Sequence, residues 1–455
     1  MNKKIFIIGG VIVALIVIGI GGFLIFRKPS TTPGGTTTPV DCLKDPTNKA
    51  CPQTPVNTSE ASLTIWGVFD DSSVFQPLID AFNKQNPNVK VTYVKKSYAD
   101  YENTLVDAIA SDSGPDIFAV SNFWVPKHKS KMAAANPNIL SAQEFSQSFI
   151  TSAYNDFVAD GKVYGVPLYT DDLALIYNRK LFNKDSISDP PQNWNDVLDY
   201  SKILTKKAPG DPKTITQGGI ALGTSGVTRS ADILTALMLQ NGTPMISDDK
   251  RSYLFNQFVK DPSGNPIYPG TSALNFYTSF ANPDKASYSW NDTLGNSIDA
   301  FAQEKVAMII GYSYFIPQIV KANPSLIYGV SPLPQIKGAP ENIDFVNYWG
   351  WSVSNRSKNT DMAWTFLNFL TQRDQISNYL QATSLTSPQK NQTGGSNKVF
   401  DDQKYYSQTI FKGDADIFDQ IFTSMIDDVV KFNQPNQSAI DSAARQANDM
   451  LTKFY

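Results

Sequence analysis

The sequence contains one histidine and two cysteines in 455 residues, and both scarcities exclude kinds of site. A Ser-His-Asp triad, a histidine-rich zinc site or a histidine general base would each have to use His128. The two cysteines cannot complete a tetrahedral zinc site by themselves. We therefore expect neither a metal ion nor a cofactor.

A basic surface and the common phosphate-binding motifs are also missing. The chain has 39 basic and 42 acidic side chains, a net charge of −3, and the lysines at 127, 129 and 131 form only a small basic cluster. Binding to a nucleic-acid backbone needs a basic face. There is no Walker loop, no His-Glu-x-x-His motif and no dinucleotide glycine fingerprint after a strand pattern. We expect no nucleic-acid partner.

The N-terminal region predicts a membrane anchor. Ile5–Phe26 is a run of 22 residues without charge, closed by Arg27 and Lys28. At about 1.5 Å per residue it would span about 33 Å, enough for a bilayer core of about 30 Å. The run is too long for a cleaved signal and has no small-residue cleavage site. Residues 1–28 are therefore predicted to be a signal anchor, a single-pass transmembrane helix that leaves the rest of the chain outside the cytoplasm.

Residues 29–61 are rich in Thr, Pro, Gly and Asn and are too polar to form a core. They are predicted to be a disordered tether. Both cysteines, Cys42 and Cys51, lie in this segment. We predict a local disulfide in an oxidising compartment, with two free thiols as the alternative.

From residue 62 the pattern changes to alternating strands and helices. Strand patterns at Leu63–Phe69, Val89–Tyr93 and Asp116–Val120 alternate with helices that pass through Leu78 and Leu105. This alternation predicts an α/β fold with mostly parallel sheets and helices on both faces. The length of the chain favours two globular units. The C-terminal part is predicted to be helical around Tyr405–Phe411, Ile417–Phe432 and Ser438–Phe454.

In such folds ligands bind beyond the carboxyl ends of the strands. Trp66–Asp71 and Ser121–Trp124 occupy these positions. A third polar and aromatic segment, Leu168–Asp172, connects two predicted strands. We interpret it as a hinge that also contacts a ligand, and an ordinary exposed loop is the alternative.

Seven short motifs then stand in a characteristic order. They are Ile65-Trp-Gly with Phe82-Asn-Lys-Gln-Asn-Pro, Ser113-Gly-Pro-Asp-Ile-Phe, Val163-Tyr-Gly-Val-Pro, Ile176-Tyr-Asn-Arg-Lys-Leu-Phe, Phe301-Ala-Gln-Glu-Lys-Val-Ala-Met-Ile-Ile-Gly, Tyr328-Gly-Val-Ser-Pro-Leu-Pro, and Trp349-Gly-Trp-Ser-Val-Ser with Ala363-Trp-Thr-Phe-Leu. In this order they resemble the extracellular solute-binding proteins of ATP-binding-cassette (ABC) importers in bacteria, in the sugar-binding group that includes maltose-binding protein.

The resemblance implies a type II periplasmic-binding-protein fold, with two α/β lobes that close over a ligand. The N-terminal lobe would hold residues 62–168 and 348–372, and the C-terminal lobe residues 169–347 and 373–455. The crossings would lie at Leu168–Thr170, Phe345–Tyr348 and Thr371–Asn378. The implied function is a non-catalytic receptor, which we expect to be a monomer, that delivers a carbohydrate to an ABC permease in the membrane.

A sugar presents an apolar face and a rim of hydroxyl groups, so its site needs flat rings together with carboxylates or amides. The aromatic candidates are Trp66, Trp124, Tyr169, Trp290, Tyr312, Tyr314, Tyr348 and Trp349. The polar candidates are Asp70, Asp71, Asn122, Asp171 and Asp172. Structural roles are the alternatives, namely core packing for Trp66 and Trp349, helix capping for Asp70 or Asp71, lobe packing for Tyr312 and Tyr314, and turn positions for Asp171 and Asp172.

Three other functions remain open. The same fold could bind a polyamine, a peptide or another charged solute, or it could serve as a tethered sensor without a permease. A surface glycoside hydrolase would use Asp171 and Asp172 as its carboxylate pair. Neighbouring strand residues point to opposite faces, which disfavours a shared reaction centre for these two side chains.

Overall fold

The structure, a computed structural model, describes residues 60–395 and 397–454. The predicted signal anchor, Cys42, Cys51 and all but the last two residues of the predicted tether lie outside these ranges. Ala61, at the end of the predicted tether, is already the first residue of a strand. No helix within the described ranges is long and apolar enough to span a bilayer.

The described chain alternates between short strands and helices. The strands are β1 Ala61–Gly67, β2 Val89–Lys95, β3 Ile117–Ser121, β4 Met132–Ala133, β5 Val158–Ala159, β6 Lys162–Val163, β7 Val166–Pro167, β8 Ala174–Asn178, β9 Lys206–Ala208, β10 Asp211–Ile220, β11 Val259–Lys260, β12 Pro266–Ile267, β13 Val306–Gly311, β14 Tyr328–Pro332, β15 Asp344–Phe345, β16 Trp349–Ser354 and β17 Ser407–Gln408. The helices are α1 Ser72–Gln85, α2 Tyr101–Ala110, α3 Val125–His128, α4 Ala142–Ser148, α5 Thr151–Phe157, α6 Arg179–Lys184, α7 Trp194–Leu204, α8 Ser230–Gln240, α9 Pro269–Ser279, α10 Ser297–Ala302, α11 Phe315–Ala322, α12 Thr360–Leu370, α13 Arg373–Thr383, α14 Lys398–Gln403, α15 Ala415–Val430 and α16 Asn436–Leu451, with 3₁₀ turns at Lys129–Lys131, Asp292–Leu294 and Thr452–Phe454.

The prediction of two α/β lobes is confirmed. One sheet has the strand order β2-β1-β3-β16-β4, with β7 also paired to β16, and the other has the order β14-β8-β13-β10-β9. The buried apolar side chains form two cores, one around each sheet. Strand β3 lies centrally in the first sheet and is buried along its whole length, as its continuous apolar sequence predicts.

The prediction of mostly parallel sheets is wrong. In the first sheet β1 is parallel to β2 and β3, but β16 is antiparallel to β3, β4 and β7. In the second sheet only β10 and β13 are parallel, and β8 is antiparallel to both of its neighbours. Strands β8 and β16, each the first strand after a crossing between the lobes, run antiparallel to all their neighbours, and local sequence patterns carry no signal for this.

Helix α13 lies in the first lobe, which differs from the predicted boundary at residue 372. Ile376, Tyr379 and Leu380 are buried in the first core, where α13 packs against α1. The chain crosses from the first core to the second between Leu168 and Leu173 and returns between Phe345 and Val346.

The third crossing therefore lies after α13, and not at 371–378 as predicted. The amide of Lys390 still donates to the carbonyl of Ser148 in the first lobe. Gln403, at the end of α14, accepts a hydrogen bond from the amide of Leu333 in the second lobe at 2.7 Å. The crossing therefore falls between Lys390 and α14.

The packing of α13 can be tested by truncating one of its buried side chains. Leu380→Ala should lower the free energy of unfolding by about 2–5 kcal/mol, because Leu380 is 2% exposed and its removal leaves a cavity in the first core. Urea denaturation of the wild type and the variant measures the difference. Gln381→Ala, on the exposed face of the same helix, is the matched control. Equal losses for both variants would show that α13 is not packed into this core.

Candidate functional site

Five aromatic side chains of the first lobe form a cluster around Trp349. Its ring centroid lies 5.0 Å from that of Trp124, 5.2 Å from Phe69 and 6.1 Å from both Tyr98 and Tyr101. Phe69 is 52% exposed and Tyr98 is 59% exposed, so the cluster presents open ring faces to solvent. We call these five residues the aromatic cluster.

Sheet topology explains why these rings meet. Phe69, Tyr98 and Trp124 each follow the carboxyl end of a strand, β1, β2 and β3 respectively. Trp349 begins β16, which is antiparallel to β3, and its register partner is Ser121 at the end of β3. All four side chains are therefore placed at one edge of the sheet, where an α/β fold binds its ligands.

The side of the second lobe that faces the aromatic cluster, which we call the second wall, contains a network of charged and hydroxyl groups. The ammonium of Lys412 donates to Oδ1 of Asp232 at 2.8 Å, and the hydroxyl of Tyr312 donates to Oδ2 at 2.9 Å. Nε of Arg229 donates to the hydroxyl of Tyr314 at 2.8 Å. Burial acts to raise the pKa of Asp232, but the Lys412 and Arg229 cations hold it below its usual range. Asp232 is therefore a buried anion that fixes both cations.

Arg229 reaches this wall through an unusual backbone conformation. It precedes α8 with a φ of 65°, in the left-handed region that non-glycine residues rarely adopt. Its ring contact, Tyr314, is 36% exposed and stacks on the buried Tyr312 with ring centroids 5.7 Å apart. Arg229 and Tyr314 together form the accessible part of the wall.

The N-terminus of α15 completes the second wall with carboxylates. Asp416 lies in the first turn of the helix. Asp419, one turn further, lies 2.7 Å from the ammonium of Lys412. Asp414, the N-cap residue, lies 2.7 Å from the ammonium of Lys127 in the first lobe, which also contacts Glu102 at 2.7 Å. This ion pair links the two lobes directly.

The two walls face each other across a cleft. Burial raises the pKa of the Tyr98 hydroxyl in the first lobe. The Asp416 and Asp419 carboxylates of the second lobe raise it further, while the Arg229 guanidinium opposes them. Tyr98 therefore lies within electrostatic range of three charged side chains of the second lobe.

A small pocket beside the aromatic cluster brings three predicted residues together. Asp70, Tyr169 and Trp349 all line it. Oδ2 of Asp70 accepts a hydrogen bond from the hydroxyl of Tyr379 at 3.0 Å, and burial raises the pKa of Asp70 to about 6. The carboxyl group thus has one fixed donor and can exchange a proton near neutral pH.

Other predicted residues lie away from the open cleft. Trp290 is 0% exposed and belongs to the core of the second lobe. Trp66 packs at the margin of the first core with the ammonium of Lys96 3.6 Å from its ring centroid, outside the aromatic cluster. Asp71 is exposed and pairs with Lys95 at 2.7 Å, and its side chain does not cap α1.

Tyr348 and Asn122 take part in a polar contact between the lobes. The Tyr348 hydroxyl donates to Oδ2 of Asp156 at 2.7 Å, and the Asn122 amide donates to the same oxygen at 3.1 Å. Thr409 of the second lobe donates to Oδ1 at 2.7 Å. These side chains tie the lobes together at the hinge, and Tyr348 and Asn122 are buried.

Asp171 and Asp172 are buried and point to different partners. Asp171 accepts hydrogen bonds from the amide and the hydroxyl of Ser313 at 2.8 and 2.9 Å, whereas Asp172 accepts one from the hydroxyl of Ser407. Burial raises the pKa of Asp171 to about 7 and that of Asp172 to about 8. The two carboxyl groups bind separate segments of the second lobe, so this pair does not provide the two carboxylates at one reaction centre that a glycosidase needs.

Sequence reasoning missed Tyr98, Arg229, Asp416 and Asp419. It placed the segment Trp66–Asp71 at a strand end but did not name Phe69 among the aromatic candidates, and the same rule would also have found Tyr98 after β2. No local pattern distinguishes the other three from ordinary surface residues. Within the described ranges no group of three or more His, Cys, Asp or Glu side chains could hold a metal ion.

Comparisons with known proteins agree with the two-lobe fold. The family model described as bacterial extracellular solute-binding protein matches residues 66–376, more than half of the chain. The diacetylchitobiose-binding protein DasA of Streptomyces coelicolor is 22% identical over 67% of this chain and 68% of its own length. The galactooligosaccharide-binding protein of Bacillus subtilis is 23% identical over 68% of each chain. The crystal structure of a cyclic alpha-maltosyl-1,6-maltose binding protein from Arthrobacter globiformis has a TM-score of 0.72 at 18% identity, over 87% of this chain and 100% of that one.

The buried carboxyl group of Asp171 predicts a pH dependence of stability. Its pKa is raised on folding, so between about pH 4 and pH 7 the folded state keeps a proton that the unfolded state has lost. Stability should therefore fall as the pH rises through this range, by roughly 1.4 kcal/mol for each unit of the pKa shift. Asp171→Asn should reduce the fall, as measured by urea denaturation at several pH values.

Ser313→Ala provides the complementary variant. It removes one hydrogen-bond donor to the Asp171 carboxylate, and this should raise the pKa of Asp171 further and extend the fall in stability to higher pH. If all three proteins gave parallel profiles, Asp171 would not be the group responsible.

Proposed function

We propose that this chain, which belongs to the family of bacterial extracellular solute-binding proteins, captures a carbohydrate in the cleft between its two lobes. The observation that carries the proposal is the composition of the two walls. The first lobe offers the exposed rings of the aromatic cluster, and the second lobe offers Arg229, Tyr314 and the carboxylates of α15. Arg229, Asp416 and Asp419 lie within electrostatic range of Tyr98.

These walls match the chemistry of a sugar. The apolar C–H face of a pyranose packs on a flat ring, and Trp349 and Tyr98 offer such rings at the first lobe. Hydroxyl groups around the rim both donate and accept hydrogen bonds. Asp416 and Asp419 can accept from them, and the guanidinium of Arg229 can donate to them.

A ligand that contacts both walls at once would favour closure of the lobes. A ligand that binds the closed form more tightly shifts the population toward it. Lys127 and Asp414 already join the lobes by an ion pair at 2.7 Å, so closure has a defined polar contact besides the ligand. The crossings near residues 170, 346 and 394 would then act as the hinge.

Delivery of the ligand to an ABC permease is the second part of the proposal. The family is one of extracellular proteins, and both relatives described above are named for the oligosaccharides they bind. The predicted signal anchor at residues 1–28 would hold the lobes near the permease at the outer face of the cell membrane. The protein would act as a monomer that does not alter its ligand.

The proposal is tested by identifying what the protein carries. The full-length chain, purified in detergent, is unfolded, and the small molecules released are identified by mass spectrometry. We expect a carbohydrate in near-stoichiometric amount, and small-angle scattering should show compaction when it is added back. Conversion of the sugar on prolonged incubation would indicate an enzyme, and release of an unrelated solute would contradict carbohydrate capture.

Substitution of Trp349 tests the aromatic wall. Trp349→Ala should weaken carbohydrate binding by about 1–3 kcal/mol if the ring stacks on the ligand and is covered by it. Isothermal titration calorimetry measures the loss, and circular dichroism checks the fold. Trp349→Phe keeps a flat ring and should retain most of the affinity. Unchanged binding by a folded Trp349→Ala variant would remove this residue from the site.

A further inference from the structure

Three segments of the hinge pair with one another. In the first crossing, Asp172 forms an antiparallel bridge with Val346, which follows the second crossing. Strand β15, which precedes the second crossing, pairs in parallel with β17, and this pairing sets Asp344 opposite Ser407. Because β17 follows the third crossing, segments next to all three crossings meet in this small three-stranded arrangement.

Asp172 and Asp344 stand on the same face of this arrangement. Residues opposite each other in a ladder share a face, and so do residues two apart along a strand. Asp172 is opposite Val346, and Asp344 lies two residues before Val346, so the two carboxyl groups are diagonal neighbours. The hydroxyl of Ser407, the register partner of Asp344, donates to Oδ1 of Asp172. A direct contact therefore ties Asp172 to the residue opposite Asp344.

Each of the two carboxyl groups leaves one oxygen without a partner. Both side chains are 0% exposed, and Oδ2 of each has no hydrogen-bond partner among the described residues and is shielded from solvent. The other oxygen of Asp344 accepts from the amide of Phe345 at 2.6 Å. A buried acceptor without a donor costs free energy. A proton on one carboxyl group would give the unpartnered oxygen of the other its donor.

Within the described ranges no lysine or arginine forms an ion pair with either carboxyl group. The ammonium of Lys404 donates to the carbonyl of Gln392 at 2.6 Å and lies 3.6 Å from Asp401. Burial raises the pKa of Asp172 to about 8, although the Ser407 hydroxyl and the Lys404 ammonium oppose the rise. Burial and the Asp172 carboxylate raise the pKa of Asp344 well above its usual range. The other titratable side chains that act on the pair or respond to it are Asp171, Asp401, Tyr348 and Tyr406.

We infer that Asp172 and Asp344 form a protonated carboxyl pair, in which one group donates its proton to the unpartnered oxygen of the other and so fastens the first crossing to β15. A hydrogen bond between a carboxyl group and a carboxylate is short and strong, and two neighbouring buried carboxylates cannot both ionise without a large cost. When the hinge segments separate, the carboxyl groups meet water and the proton passes to solvent. The pair makes the flexibility of the hinge depend on pH, which goes beyond the proposed capture of a carbohydrate.

The proton also determines the direction of this dependence. The paired state keeps a proton that the separated state, with an ordinary carboxyl pKa of about 4, has lost. The separated state therefore gains population by about tenfold per pH unit for each proton released, over a range that reaches about pH 8. The hinge is tightest in acid and loosest above that range.

Infrared spectroscopy detects the proton directly in the wild-type chain. A protonated carboxyl group has a carbonyl stretch that a carboxylate lacks, and surface carboxyl groups are ionised well below neutral pH. Difference spectra of the full-length chain in detergent, recorded between about pH 7 and about pH 10, should show this stretch disappear as the pH rises. The signal of the pair should be missing in both Asp344→Asn and Asp172→Asn.

Hydrogen exchange measures the consequence for the hinge. The amides of Asp344 and Val346 donate to carbonyls of the β17 segment. Between about pH 6 and about pH 8, after correction for the intrinsic exchange rate, their opening constant should rise about tenfold per pH unit in the wild type. Asp344→Asn keeps a donor for Asp172 at every pH, so its opening constant should change by less than about twofold per pH unit.

Asp171→Asn is the matched control. It removes a neighbouring buried carboxyl group that has its own donors on Ser313, and it leaves the pair intact. This variant should keep both the infrared signal of the pair and the rise in opening with pH. If Asp344→Asn fails to fold, Asp172→Asn and the wild-type spectrum still decide the question.

A wild-type spectrum without a protonated carboxyl group above neutral pH would overturn the inference, and so would a signal that both pair variants retain. Parallel exchange profiles for the wild type and Asp344→Asn would do the same. Tightening of the hinge by added calcium, reversed by a chelator, would show that a cation and not a proton joins the two groups, which also contradicts the inference. All these measurements are made without ligand, so their failure leaves carbohydrate capture standing, and failure of carbohydrate capture leaves the pair standing.

Discussion

The buried apolar side chains of the described residues form two cores, one around each sheet. Because neither core covers the gap between the sheets, the residues that line it must be stable in contact with water or with a ligand. The aromatic cluster meets this demand with rings that pack edge to face on Trp349, while Phe69 and Tyr98 remain exposed. The second lobe meets it with a hydrogen-bonded ionic network.

The hinge is stabilised by polar groups. Asp156, Asp171 and Asp172 each accept hydrogen bonds that link segments distant in sequence. Buried carboxyl groups of this kind cost desolvation energy, which appears as their raised pKa values. Polar contacts can break and re-form as lobes move, whereas a continuous apolar core would fix one arrangement. The hinge is therefore less stable than a continuous apolar core would be, and its segments can still move relative to each other.

The network around Lys412 positions the charged side chains of the candidate site. A buried ion pair contributes little net stability, since desolvation offsets most of the attraction. Here Asp232 holds Lys412 and Arg229, and Lys412 in turn holds Asp419 at the start of α15. The side chains that reach the cleft are therefore anchored by groups behind them that do not reach it. This arrangement fixes where the charges of the second wall lie before a ligand arrives.

The sequence by itself determined β1 to β3, α15, α16 and the position of Trp124 after a strand end, because hydrophobic periodicity and strand ends are local signals. The two-lobe architecture and the candidate residue Trp349 came from the resemblance of its motifs to solute-binding proteins. Predictions from local signals were wrong where contacts between distant segments of the chain determine the structure. The segment predicted as a helix at Tyr405–Phe411 contains strand β17, which pairs with β15 some sixty residues earlier. Helix α13 joins the first lobe through contacts with α1, and Arg229 and Asp416 come within electrostatic range of Tyr98 only in the folded chain. Which side chains of the two lobes lie near each other depends on three-dimensional distance, so only the tertiary structure could decide it.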